Sequence, residues 1–101
     1  MMIRPLEHGA SFVVHSLTKY LAGHGDVLGG AVIGRQELID RLHPDFTLIG
    51  GTLDPHAAFL IQRGLKTYLL RYRAQSASAQ RIAEWLQTSS AVARVHYPGL
   101  Q

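Results

Sequence analysis

The most constraining feature of this 101-residue chain is a helical periodicity that takes up nearly a third of it. It begins at "LDPHAAF", where Asp54 has the short acceptor side chain of an N-cap and Pro55 stands at the first helical position. Apolar residues then recur at Phe59, Leu60, Leu65, Tyr68, Leu69 and Tyr72, and resume at Ala79, Ile82, Ala83 and Leu86. The pattern predicts one very long helix or two in series, with Gly64 and the "SAS" of residues 76–78 as the places where it would break. A helix is stabilised mainly by packing its apolar face, and a chain this short offers that face little cover. The partner surface is therefore expected from outside these residues, including from another subunit.

The remaining elements are short. "SFVVH" at residues 11–15 reads as a buried strand, and "LGGAVIG" at 28–34 as a second, whose glycines weaken it or mark a close approach of another backbone or a ligand. "GHGD" between them reads as loop. Residues 35–42 form an amphipathic helix with Leu38, Ile39 and Leu42 on one face, stopped by Pro44. Residues 45–53 read as irregular, and Val92 to Tyr97 as a closing strand before a Pro-Gly turn. Strands alternating with helices place the chain in the α/β class.

Composition narrows the function classes. Hydrophobic residues make up 47% and charged residues 17%, a globular balance rather than a disordered one. There is no cysteine, which excludes disulfides and thiolate zinc. That lack of cysteine fits an intracellular, cytoplasmic setting, and "MMIRPLEHG" does not read as a signal peptide because its apolar run is too short. No apolar run approaches the ~20 residues needed to span a bilayer. The net charge is +3, but the eight arginines are scattered from Arg4 to Arg94. The densest basic group, Arg63, Lys66, Arg71 and Arg73, falls inside the predicted helix and reads as a solvated or subunit-facing surface, so no nucleic-acid partner is expected.

Most motif readings fail on spacing. None of the six histidines, at 8, 15, 24, 43, 56 and 96, pairs at i, i+3 or i+4, so no metal site is expected. Gly23, Gly25 and Gly29 miss the dinucleotide fingerprint by one residue. "RGLKT" at 63–67 lacks the glycine before the lysine of a phosphate loop and lies within a helix. Lys19 stands apart. It is one of two lysines, and the twelve residues from Phe12 to Gly23 contain no other charged side chain. The bland reading is a solvated surface lysine. The sharper one is a lysine in a dry setting, because desolvation favours the neutral amine and neutral amines attack carbonyls. Ser16 and Thr18 add hydroxyls suited to phosphate oxygens, and the glycines beyond would admit a bulky ring. A phosphorylated aldehyde cofactor fits that set.

Two blocks carry a family resemblance. "GASFVVHSLTKYLAGHGDVLGG" resembles the pyridoxal-phosphate lysine segment of the Cys/Met-metabolism, or trans-sulfuration, enzymes, written roughly G-A-D-hydrophobic-V-x-H-S-x-T-K-[YF]-x-x-G-H-x-D-x-x-[GA]-G. "LDPHAAFLIQRGLKTYLLRYRAQSASAQRIAEWLQTSSAVARVHYPGL" resembles a second family block built around R-G-L-K-T-L and ending in Y-P-G-L. The family includes cystathionine γ-synthase, cystathionine lyases, methionine γ-lyase and homoserine sulfhydrylases. Ser11 replaces a usual aspartate, Tyr68 a usual leucine, and "RAQS" at 73–76 departs from a more acidic stretch.

The resemblance implies a fragment of a fold-type I pyridoxal-phosphate enzyme. Residues 1–54 would belong to the large cofactor domain, and residues 55–101 would form the long connecting helix and the start of the C-terminal domain. Lys19 would carry the cofactor and move protons, with Ser16 and Thr18 on its phosphate. The implied chemistry is β- or γ-elimination or γ-replacement on a small-molecule substrate, a sulfur amino acid or an activated homoserine. A homotetramer is implied as well. Family members are longer, so the glycine-rich phosphate loop, the ring-stacking aromatic, the pyridine-pairing aspartate and the carboxylate-binding arginine are expected outside these residues. The chain alone is expected to have little activity. The alternative is a non-catalytic remnant, or an interaction module acting through its long helix.

Overall fold

The computed structural model describes residues 3–100. Two compact units make up the chain, Met1–Tyr68 and Leu69–Gln101. In the first, a 3-10 turn at Pro5–His8 leads into β1 (Phe12–Ser16). A π-helical turn, Leu17–Leu21, follows directly, and a glycine-rich loop returns the chain to β2 (Gly30–Gly34). The strands pair antiparallel, with Val14 opposite Val32 and Ser16 opposite Gly30. Both strands predicted at 11–15 and 28–34 form, the second trimmed to the residues that have a partner, but the first is not buried as expected: a two-stranded sheet gives its residues too little cover, and they are half-buried or exposed.

Helix α1 (Gln36–Ile49) runs straight through Pro44, where the sequence predicts a stop. Proline removes one backbone donor, but the flanking turns still close their own bonds, and Thr47 Oγ1 adds a 2.9 Å bond to the His43 carbonyl. The helix ends at Gly50, which adopts the left-handed conformation at φ 75° and returns its N–H to Phe46 O. The irregular stretch expected from residue 45 therefore begins only after Ile49.

Helix α2 (Pro55–Leu65) starts as the sequence predicts. Asp54 Oδ1 accepts the N–H groups of His56 and Ala57 at 2.9 and 3.0 Å. The expected weak points do not break the helical run. The break falls at Lys66–Thr67, and α3 (Tyr68–Gln87) continues unbroken through Ser76–Ser78. Gly64 stays helical because it is buried in a contact that only a glycine fits.

The core of the first unit is small: Ala22, Val27, Ala57 and Ile61 are buried, with Leu17, Leu53 and Leu60 packed around them. In the second unit Ala83 on α3 is buried, while the Tyr97 hydroxyl donates to Ser76 O and Gln80 Nε2 donates to Gly99 O. Val92 to Tyr97 is not a strand. A strand needs a neighbour to take its N–H and C=O groups, and among the described residues the one sheet is the β1–β2 pair. Many large apolar side chains stay exposed, among them Val14, Leu28, Leu48, Ile49, Leu70 and Trp85. That agrees with the expectation that cover for the apolar faces comes from outside these residues.

Replacing Asp54 with alanine should leave two helix N–H groups without their acceptor and cost about 1 kcal/mol. The midpoint of urea unfolding monitored by helical circular dichroism measures this, and Asp54→Asn should recover most of the loss.

Candidate cofactor-lysine site

The site is built on the segment that joins β1 to β2. Ser16 ends β1, with an exposed side chain. The chain then turns with i→i+5 geometry: the Ala22 N–H reaches Leu17 O at 2.9 Å. π turns of this kind are uncommon and often sit at functional sites. Lys19 lies in the middle of the turn with a non-helical backbone at φ −87°, ψ −122°, and its carbonyl accepts the Gly23 N–H at 2.8 Å. The structure thus gathers Ser16, Thr18 and Lys19 on one short, sharply bent stretch at the end of a strand.

The dry setting expected for Lys19 is not provided by this chain. Lys19 is exposed. The segment lacks charges because its apolar members pack inward: Leu17 lies against the core and Ala22 has no exposed surface. Absence of charge around the lysine therefore reports burial of the turn's underside, not of its amine.

Thr18 is half-buried and its hydroxyl has a defined task. Oγ1 accepts the Gly29 N–H at 2.9 Å, while the Gly29 carbonyl accepts Leu17 N–H at 2.9 Å and Thr18 N–H at 3.3 Å. Both polar groups of the Gly29 peptide are thereby tied to the start of the lysine turn. The nearest acceptor for the hydroxyl's own proton, Gly29 O, is 3.4 Å away, long for an O–H···O bond. A bond that long is weak and holds the proton only loosely.

The glycines of this region serve turns and packing rather than a nucleotide. Gly23 and Gly25 take positive φ, 79° and 69°. A Cβ on Gly29 would stand 3.0 Å from Ile61 Cδ1 and 3.4 Å from Leu53 Cδ1, so the close approach is to the protein's own core. Among the described residues no group of three metal-ligating side chains comes together. No helix of the described residues is long and apolar enough to cross a membrane.

Sequence reasoning does not find the residues that hold the turn from behind. Gly64 of α2 packs on the backbone of Ala22, and a Cβ there would collide with the Ala22 carbonyl and lie 2.8 Å from its Cα. That carbonyl also accepts a 2.7 Å bond from His24 Nδ1. Next to Gly64, Arg63 Nη2 donates to Asp26 Oδ2 at 2.7 Å across the glycine loop. The pair is partly exposed and contributes on the order of 0.2–1 kcal/mol. The sequence does hold one signal of this contact: a glycine inside a strongly periodic helix costs ~1 kcal/mol and is kept where something comes close.

The residues present suit pyridoxal phosphate. An accessible amine can take an aldehyde carbon, and an exposed Ser16 hydroxyl and the Thr18 proton can meet phosphate oxygens.

Replacing Thr18 with valine should leave the Gly29 N–H without its acceptor and destabilise the first unit by about 1–3 kcal/mol. Thr18→Ser should keep the bond and most of the stability. Amide hydrogen exchange at Gly29 distinguishes the two, since only the valine variant should lose protection there.

Comparison with known proteins agrees with this geometry. The profile of the family described as Cys/Met metabolism PLP-dependent enzyme matches residues 1–101. L-methionine gamma-lyase of Pseudomonas putida is 50% identical over 96% of this chain and 25% of its own. Cystathionine beta-lyase of Lactococcus lactis subsp. cremoris is 49% identical over 96% of this chain and 26% of its own. Among solved structures, cystathionine gamma synthase from Xanthomonas oryzae pv. oryzae, in complex with aminoacrylate and cysteine, superposes with a TM-score of 0.91. It is 45% identical and is covered over 25% of its length by 95% of this chain. The chain thus spans about a quarter of the length of these relatives, and its fold is a segment of the fold-type I architecture. With the lysine turn, the glycine loop and the helix behind them all accounted for, the chain belongs to the Cys/Met metabolism PLP-dependent enzyme family.

Proposed function

We propose that this chain supplies the cofactor-lysine segment of a pyridoxal-phosphate-dependent lyase or transferase of sulfur amino-acid metabolism. The observation that carries the reading is Lys19, an accessible amine on a π turn flanked by the Ser16 and Thr18 hydroxyls, in a chain of this family. Pyridoxal phosphate, when bound, supplies the electron sink for negative charge developing at a substrate α-carbon. Lys19 is the attachment point for the cofactor's aldehyde carbon. Its Nζ would also be placed to take a proton from a substrate α-carbon and to give one to a neighbouring carbon. Ser16 Oγ and Thr18 Oγ1 would donate to the cofactor's phosphate. The Gly29 N–H holds the Thr18 oxygen in place.

The substrate class is a sulfur amino acid or an activated homoserine, and the reaction is β- or γ-elimination or γ-replacement. Relatives named for different reactions are almost equally similar: 50% for a methionine gamma-lyase, 49% for a cystathionine beta-lyase and 46% for a cystathionine gamma-synthase of Arabidopsis thaliana. This segment therefore carries what those reactions share. Residues 1–54 are assigned to the large cofactor domain, and 55–101 to the connecting helix and the start of the C-terminal domain. The whole protein is proposed to be a cytoplasmic homotetramer.

On its own the chain is proposed to have little or no turnover, because Lys19 is exposed to water. A second reading, an interaction module without catalysis, draws on the exposed Leu69, Leu70, Ile82 and Trp85 of α3.

Incubation with pyridoxal phosphate followed by borohydride and peptide mapping should place the pyridoxyl group on Lys19, and Lys19→Ala should remove it. Cofactor retention unchanged in Lys19→Ala would favour the interaction reading. The isolated chain should release no ammonia or keto acid from methionine or cystathionine above the rate given by free cofactor. Robust turnover would overturn the inactivity.

A further inference from the structure

We infer that α2 positions the amine-bearing turn, with Gly64 and the Arg63–Asp26 pair acting as positioning residues that decide how Lys19 is presented. The inference rests on the reading of Lys19 as the cofactor lysine and adds what holds it.

Two adjacent residues of α2 grip the segment just after Lys19 at two points, four residues apart. Gly64 abuts the Ala22 backbone, and Arg63 binds Asp26 at 2.7 Å. Ala22 is the residue whose N–H closes the π turn onto Leu17 O, so the helix contacts the closing residue of the turn itself. Its carbonyl also accepts the 2.7 Å bond from His24 Nδ1. The start of the turn is tied to Gly29, and the contacts at Ala22 and Asp26 fix its end and the loop beyond it against α2. Neighbouring residues on a helix point about 100° apart, so Gly64 and Arg63 hold the loop from two directions.

Nothing in the Gly64 contact tolerates a side chain. The atom that a Cβ would meet is backbone, not the end of a flexible side chain, so a larger residue at 64 has to push Ala22, and the turn with it, away from α2. Lys19 lies three residues before Ala22, and its own carbonyl is bonded to the Gly23 N–H. Displacement of Ala22 therefore reaches the lysine through its backbone.

The chain contains its own reference for a test. Its other lysine, Lys66, caps the C-terminal end of α2 and is exposed like Lys19. The ratio of pyridoxyl label on Lys19 to that on Lys66 after brief treatment with pyridoxal phosphate and borohydride reports presentation rather than total reactivity. The wild-type chain should favour Lys19. The ratio should fall several-fold in Gly64→Ala and in Asp26→Asn, with the helical signal of Asp26→Asn unchanged. The charge swap Asp26→Arg with Arg63→Asp should restore it. A fall that merely tracks lost helicity, or a ratio unchanged in Asp26→Asn and Gly64→Ala while both stay folded, would overturn the positioning role and leave the lysine assignment standing. A wild-type chain with no preference for Lys19 would remove that assignment and this inference with it.

Discussion

The contact between Gly64 and the backbone of Ala22 is the constraint on which the rest of the first unit depends. It brings a helix onto a bare stretch of main chain with no side chain between them. Around it gather the few buried residues of the unit, Ala22, Val27, Ala57 and Ile61. Small residues dominate that core because the backbones are close, not because the core lacks apolar material. Leu17, Leu53 and Leu60 fill the margins.

From this packing follows the division of labour in the lysine segment. The underside of the turn is apolar and faces the core, while its upper side carries an amine and hydroxyls. Thr18 Oγ1 accepts the Gly29 N–H and ties the turn to the residue before β2, while its own proton makes only a long bond to Gly29 O. A serine or threonine next to an active lysine reads from sequence as a phosphate ligand. Here the structure shows the threonine as part of the frame, through the bond it accepts from Gly29.

The unit has little stability to spare. Its sheet has two strands, and a pair of strands is marginal without further cover. Val14 and Val32 lie opposite one another and both are exposed. The exposed Leu48 and Ile49 at the end of α1 and Trp85 on α3 carry the same message: apolar faces shaped for contact. The matched relatives are about four times longer, which agrees with it.

Several parts of this arrangement are legible in the order of the amino acids. Local chemistry suffices for the Asp54 cap and for the two short strands, because each depends on neighbours within a few residues or on an obvious strand pattern. That Lys19 stands beside two hydroxyl residues in a stretch with no other Lys, Arg, Asp or Glu is legible for the same reason. Sequence reasoning fails where distant groups decide. Pro44 lies inside α1 although proline alone predicts a stop, Val92 to Tyr97 has strand-forming residues but no strand to pair with, and Gly64 marks a close contact rather than a break. A dry setting for Lys19 follows from an absence of charge only if the amine is on the buried side, and composition cannot tell which side of a turn that is. The sequence by itself determined which groups are available and which short segments can hold them, since rotamers, caps and hydrogen-bond valences are local. Only the tertiary structure decided that Arg63 meets Asp26 and Gly64 meets Ala22, because these pairs are some forty residues apart and no periodicity records a contact of that range.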